Sequence, residues 1–179
     1  MYTTAGARSP WRRAQRHIAI ALVVVVTAGL GMAASAVAES AVNQRFTVVA
    51  APPAPDRVVA SGVLNDTGTD SKTVQPGPGG TLTITATWSF HKGTLFVVAH
   101  GKVISQDTNT SACIRTERVG GTFEITGGDG AYQGVTGGGT FTARNLFIGT
   151  RSDQVCSFMG VRPYQVVQFQ GTIRHLSVA

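Results

Sequence analysis

Between Thr81 and Phe90 the chain reads TLTITATWSF, and its alternation is strict. Leu82, Ile84, Ala86, Trp88 and Phe90 share one face, with mostly threonine opposite. Side chains leave a strand with period two, so this pattern calls for a β-strand with one dry face. His91-Lys92-Gly93 supplies a turn, and residues 94–104 (TLFVVAHGKVI) return antiparallel. Further strands are expected over residues 58–64, 112–118, 121–126, 140–148 and 164–175. Glycine and proline clusters such as Gln75-Pro76-Gly77-Pro78-Gly79-Gly80 separate them. No apolar repeat of 3.6 residues runs long enough for a sizeable helix. Seven or eight short strands of this kind close into an all-β sandwich or barrel. In Leu95-Phe96-Val97-Val98-Ala99 both strand faces are apolar. One must fill the interior, and the other meets a partner subunit or a covering segment, which argues for a homo-oligomer.

The first 38 residues follow another rule. Arg8, Arg12, Arg13 and Arg16 precede a 15-residue apolar run at 18–32 (IAIALVVVVTAGLGM), and small residues end at Ala36-Val37-Ala38. A basic start, an apolar middle and an A-x-A end describe a secretory signal peptide, cut before Glu39. The alternative is an uncleaved anchor. Spanning a bilayer takes about 20 residues, however, and Gly29 and Gly31 loosen the end of this run. Without the leader, 141 residues carry 11 basic and 9 acidic groups, net +2, against +6 for the whole chain. Those charges are scattered singly, so no basic patch for nucleic acid is expected. Residues 39–56, with Pro52-Pro53-Ala54-Pro55, read as a proline- and alanine-rich lead-in, and the barrel or sandwich domain as 57–179. The expected location is secreted or periplasmic, with no stable membrane insertion after cleavage.

Cys113 and Cys156 are the two cysteines, and both lie in the exported part. An even count in an oxidising compartment makes a disulfide the default. Closing 43 residues of chain adds about 4 kcal/mol in the chain-entropy model.

The stretch 120–144 (GGTFEITGGDGAYQGVTGGGTFTAR) is dense in glycine. A phosphate-binding loop would follow a strand and open a helix, whereas these glycines lead into another alternating strand. Their expected role is steric: positive φ in a turn and close backbone packing where a bent sheet turns a corner, with Tyr132 as the anchor. His91, His100 and His175 lie far apart, without a regularly spaced carboxylate, so no metal site is expected. There is no Gly-x-Ser-x-Gly elbow.

The segment Thr126-Gly127-Gly128-Asp129-Gly130-Ala131-Tyr132-Gln133-Gly134-Val135-Thr136-Gly137 resembles the glycine signature of the allene oxide cyclase barrel superfamily, which includes the more distant dirigent proteins. The order of strands before it is also similar. The resemblance covers roughly residues 58–176, and the chain also looks like exported bacterial members, whose activities are mostly unassigned. It implies an eight-stranded antiparallel barrel with an apolar cavity, often trimeric and needing no cofactor. In the cyclases an acidic residue stands two positions before an Asn on the first strand. Here Asn65 matches, but Val63 occupies the acidic position. Asn65-Asp66-Thr67-Gly68 is also rich in turn formers.

The candidate ligand-binding residues are Asn65, Trp88, Phe90, Tyr132, Phe141, Asn145 and His175. Asn145 alternates with Phe141, Ala143 and Phe147, and His175 with Val167, Phe169, Gly171 and Ile173. Each is thus a polar group among apolar ones, as in pockets that hold and orient small ligands. The same polar groups would equally sit wetted at barrel ends. The expectation is a secreted protein that binds a small hydrophobic molecule. The alternative is a cofactor-free cyclase or isomerase, or a dirigent-type guide of stereochemistry, acting on a lipid- or phenol-derived substrate.

Overall fold

The computed structural model describes residues 40–174. Its architecture is a closed antiparallel barrel of eight strands. These are β1 (Val42–Ala50), β2 (Arg57–Gly62), β3 (Asp66–Pro76), β4 (Thr81–Phe90), β5 (Gly93–Asn109), β6 (Ile114–Gly130), β7 (Thr136–Ile148) and, after a small hairpin, β10 (Tyr164–Arg174). The hairpin strands are β8 (Thr150–Ser152) and β9 (Val155–Ser157). Around the barrel the order is β1-β10-β7-β6-β5-β4-β3-β2, with β2 returning to β1. Closure leaves no unpaired sheet edge. One short 3-10 turn, Pro78–Gly80, accounts for the helix among the described residues. The signal-peptide expectation for 1–38 lies outside them.

The alternating face of β4 points inward as expected, with Ala86, Trp88 and Phe90 buried and Leu82 and Ile84 partly so. Two expected boundaries are corrected. The lead-in is not outside the barrel, because residues 42–50 form β1, hydrogen-bonded between β10 and β2. Gln44, Phe46, Val48 and Ala50 are its inward face. The proline run is a turn between β1 and β2, where Ala54 N–H donates to the Ala51 carbonyl at 3.0 Å. Proline cannot donate to a central ladder but fits the turn that closes it. Likewise, 112–118 and 121–126 fall on one strand, β6 from Ile114, because its pairing with β7 continues through Gly120-Gly121 without a break.

The glycine segment does the steric work expected of it. Gly130, at φ 60°, ends β6 in a turn. Gly139 and Gly171 face each other across β7 and β10, and a Cβ on either would come within 2.1 Å of a neighbouring carbonyl oxygen. Only bare backbone passes there.

One half of the interior is solid. Phe169 is the hub: its ring lies 5.0 Å from Trp88, 5.2 Å from Phe123 and 5.4 Å from Phe141, and Phe46 is 4.7 Å from Trp88. Three of these pairs are tilted or edge-on and Phe141–Phe169 is stacked, arrangements that suit aromatic quadrupoles and fill space densely. Below it Leu95, Ile125, Val135 and Ile173 are fully buried. Gln44 then stitches the end shut: its amide donates to the Ser61 and Leu64 carbonyls at 3.0 Å each, and Leu64 N–H donates back to Gln44 Oε1 at 2.9 Å.

A polar clasp locks the same end. The Tyr132 hydroxyl donates to Asp66 Oδ2 at 3.0 Å, while His91 Nδ1 at 2.8 Å and Thr67 N–H at 2.7 Å donate to Oδ1. These bonds, the one from His91 foremost, hold the Asp66 carboxyl at about 2 against an ordinary 3.8, outweighing desolvation. Burial, and then the bond to Asp66, pushes the Tyr132 phenol up to about 12 from 10.0. A depressed carboxyl stabilises the fold above its unfolded value and loses that contribution as pH falls through the folded one. A raised phenol does so below its unfolded value and loses it as pH rises through the folded one. Urea midpoints are therefore expected to fall between pH 4 and 2 and again between pH 10 and 12. Asp66→Asn should flatten the acid limb and Tyr132→Phe the alkaline one, relative to the unmodified protein.

Candidate functional site

Above Trp88 the interior is hollow. The inward residues at this level are small: Ala86, Ala99 and Ala143, flanked by Val97, Val119 and Val167. They are too short to meet across the barrel. A cavity of about 310 Å³ results, with Trp88, Phe141 and Phe169 as its floor and Leu82, Ile84 and Phe147 toward the mouth. Inward burial is graded accordingly. On β7 Phe141 and Ala143 are buried while Asn145 and Phe147 are half-exposed, and β10 repeats the pattern from Phe169 and Val167 to Gln165. This volume lies at the small end of ligand pockets.

Polar groups collar the upper wall. Asp70 and Lys72 come from β3, Glu117 from β6, Asn145 from β7 and Gln165 from β10. Gln165 Nε2 donates to Asn145 Oδ1 at 2.8 Å across the β7–β10 ladder. Lys72 Nζ donates to Asp70 Oδ2 at 2.7 Å and to Asp56 Oδ2 at 2.5 Å, and Arg162 donates to Asp56 Oδ1 at 2.7 Å. This four-charge chain runs outward from the cavity. The side chains are 2% exposed at Asp70, 20% at Lys72, 8% at Asp56 and 57% at Arg162. The ions neutralise one another, as groups taken out of water must.

The segment from β7 to β10 borders the mouth, and several contacts tether it. Cys113 and Cys156 form the expected disulfide, joining β9 to the β5–β6 turn. Arg151 donates to the Thr110 and Ser111 carbonyls at 2.5 and 2.8 Å. The Arg115 guanidinium lies 4.4 Å from the Phe147 ring centre and 4.9 Å from that of Phe158, a cation–π sandwich. Its Nε stands 3.1 Å from Glu117 Oε1, an ion contact without hydrogen-bond alignment. Pro163 completes the rim. A wider depression of about 640 Å³ on the outer wall, between Val49, Tyr164, Arg118 and Arg144, is open to solvent and encloses nothing.

Of the sequence candidates, Trp88, Phe141 and Asn145 meet at this cavity. Three others lie elsewhere. Phe90 and Tyr132 pack edge-on, 5.8 Å apart, in the sealed end, and Asn65 is exposed in the β2–β3 turn. Phe90 does share a strand face with Leu82, but eight residues separate them, about 27 Å along the strand. Sharing a face is not sharing a depth. His175 lies outside the described residues. Glu124 and Arg144, on outward faces, are surface residues: Glu124 stands opposite Gly138, and Arg144 opposite Arg118.

Sequence reasoning passed over Asp70, Lys72, Glu117 and Gln165. No strand is expected over 69–74, because the inward positions of β3, Gly68, Asp70, Lys72 and Val74, carry almost no apolar signal. The usable signal was on the other face, where Thr67, Thr69, Ser71 and Thr73 alternate.

Among the described residues no group of three or more His, Cys, Asp or Glu is placed to hold a metal ion, and no helix is long and apolar enough to cross a membrane. Comparison with family models, curated proteins and solved structures finds no match. The fold and the site therefore rest on the chain's own residues.

Lys72 is the hinge of the charge chain, since its removal leaves buried Asp70 without a counter-ion and Asp56 with Arg162 alone. Lys72→Met is expected to destabilise by about 2–3 kcal/mol in urea unfolding at neutral pH. Arg162→Ala, at the exposed end, should stay within about 1 kcal/mol.

Proposed function

We propose that this protein is an exported binding protein that holds a small hydrophobic molecule in the open half of its barrel. The observation that carries this reading is the hollow itself. Leu82 and Ile84 line a space of about 310 Å³ over an aromatic floor, with polar side chains entering from opposite sides of the barrel. Apolar walls with a few convergent polar groups are what small-molecule sites are made of. Export is supported by the basic–apolar–A-x-A leader pattern and by the Cys113–Cys156 disulfide, which belongs in an oxidising compartment. The outer wall supports a protein working in water. Mid-strand outward positions include Arg118, Thr122, Glu124, Thr142, Gln168 and Gln170, the inverse of a barrel whose lipid-facing band is apolar.

Distant kinship with the allene oxide cyclase and dirigent group belongs to the same proposal, supported by the glycine segment and the eight-strand count. A homo-oligomer, trimeric by that resemblance, is supported by the outward, exposed Phe96 and Ile104 on β5. The cyclase alternative has less behind it. Asn65 and Val63, the positions that match the cyclase pattern, are exposed in the β2–β3 turn, beyond the sealed end and away from the cavity.

The mature protein should take up N-phenyl-1-naphthylamine saturably, with enhanced and blue-shifted fluorescence. Ile84→Trp, which fills the hollow from its upper wall, should weaken that uptake at least about tenfold while leaving far-UV circular dichroism unchanged. Uptake that fails to saturate, or that ignores the filling substitution in a folded variant, would overturn the reading.

A further inference from the structure

Asp70 has one carboxylate oxygen that the protein does not use. Its Oδ2 accepts from Lys72, but Oδ1 is buried and has no hydrogen-bond partner. The side chain is 98% buried on the inward face of β3, opposite Trp88 in register, and it lines the cavity. An acceptor left dry and unpaired in this way is expensive, and native proteins rarely leave one without a reason. Oδ1 has almost no accessible surface as it stands, and a small rotation of the carboxylate toward the cavity would let a hydrogen-bond donor there relieve it.

The surroundings narrow what that donor is. Lys72 already sits 2.7 Å from Asp70 and balances its charge, so a second cation would face the ammonium across the same carboxylate. A carboxylate ligand would bring no donor and would add a negative charge beside Asp70 and Glu117, both of which line the cavity. Apart from the polar collar and Phe147 at the mouth, the wall above the aromatic floor is aliphatic. A neutral hydroxyl on an apolar body meets all three conditions. Resting on the binding function proposed above, we infer that Asp70 is the specificity-determining residue of the cavity, and that its ligand is an uncharged apolar alcohol whose hydroxyl donates to Asp70 Oδ1.

The test compares three molecules for displacement of N-phenyl-1-naphthylamine. 1-Nonanol and methyl octyl ether are isomers of equal heavy-atom count that differ in having or lacking the donor, and nonanoate replaces the hydroxyl by a charge. The unmodified protein should be half-displaced at a concentration of 1-nonanol about tenfold lower than of the ether, and lower still relative to nonanoate. Asp70→Ala, corrected for its own probe affinity, should equalise the isomers, and Asp70→Asn should reduce the preference. Should either variant fail to fold, the isomer ratio of the unmodified protein decides alone. Equal displacement by both isomers, or tighter displacement by nonanoate, overturns the role of Asp70 while leaving the cavity as a binding site. Absence of saturable probe uptake overturns both.

Discussion

The rest of this structure depends on how side-chain volume is shared along a closed barrel. Eight strands enclose an interior that large side chains can just fill. In one half Phe46, Trp88, Phe123, Phe141 and Phe169 do fill it, ring against ring. In the other half the inward positions are Ala86, Ala99 and Ala143 with valines beside them, and the walls cannot meet. The aromatic half supplies the rigidity and burial that keep the barrel closed. The hollow half remains open because its small side chains, part of the same buried cluster, are too short to meet across the barrel.

The charges follow from the same division. At the sealed end Asp66 is tied up completely, by Tyr132, His91 and Thr67, and its acidity is depressed accordingly. At the open end Asp70 is tied up only by half. Both carboxylates come from β3, four residues apart and both inward, yet one has every partner it needs and the other does not. Burying a charge for stability alone would favour the first arrangement at both ends. That contrast supports the binding role proposed for the open end. The disulfide and the Arg115 sandwich brace the segment at its mouth, so the rim is fixed by covalent and cation–π contacts while the collar beneath it stays polar.

Much of the frame was legible in the chain because period two survives wherever inward residues are apolar. β4 announces itself, β7 and β10 nearly so, and the paired cysteines followed from count and compartment. β1 was obscured by the neighbouring prolines, which mark a turn beside a strand as readily as a linker. β3 was illegible for a deeper reason. Its inward face holds Gly68, Asp70 and Lys72, and a search for alternating hydrophobics passes over a strand whose dry side is charged. The candidate site was therefore half visible: Trp88, Phe141 and Asn145 could be named, while Asp70, Lys72 and Glu117 could not. Phe90 and Tyr132 were misplaced because periodicity assigns a face and says nothing about depth. Depth is set by closure and by which layer receives the large side chains.

The interior is solid on one side of Trp88 and hollow on the other. Crystals of the protein held under xenon pressure test it most directly, since xenon enters apolar voids and disturbs little. Anomalous xenon density is expected in the space bounded by Ile84, Ala143 and Val167, and none among Phe90, Leu95 and Ile173. Xenon absent from the whole barrel, or found in the half around Leu95 and Ile173, would contradict it.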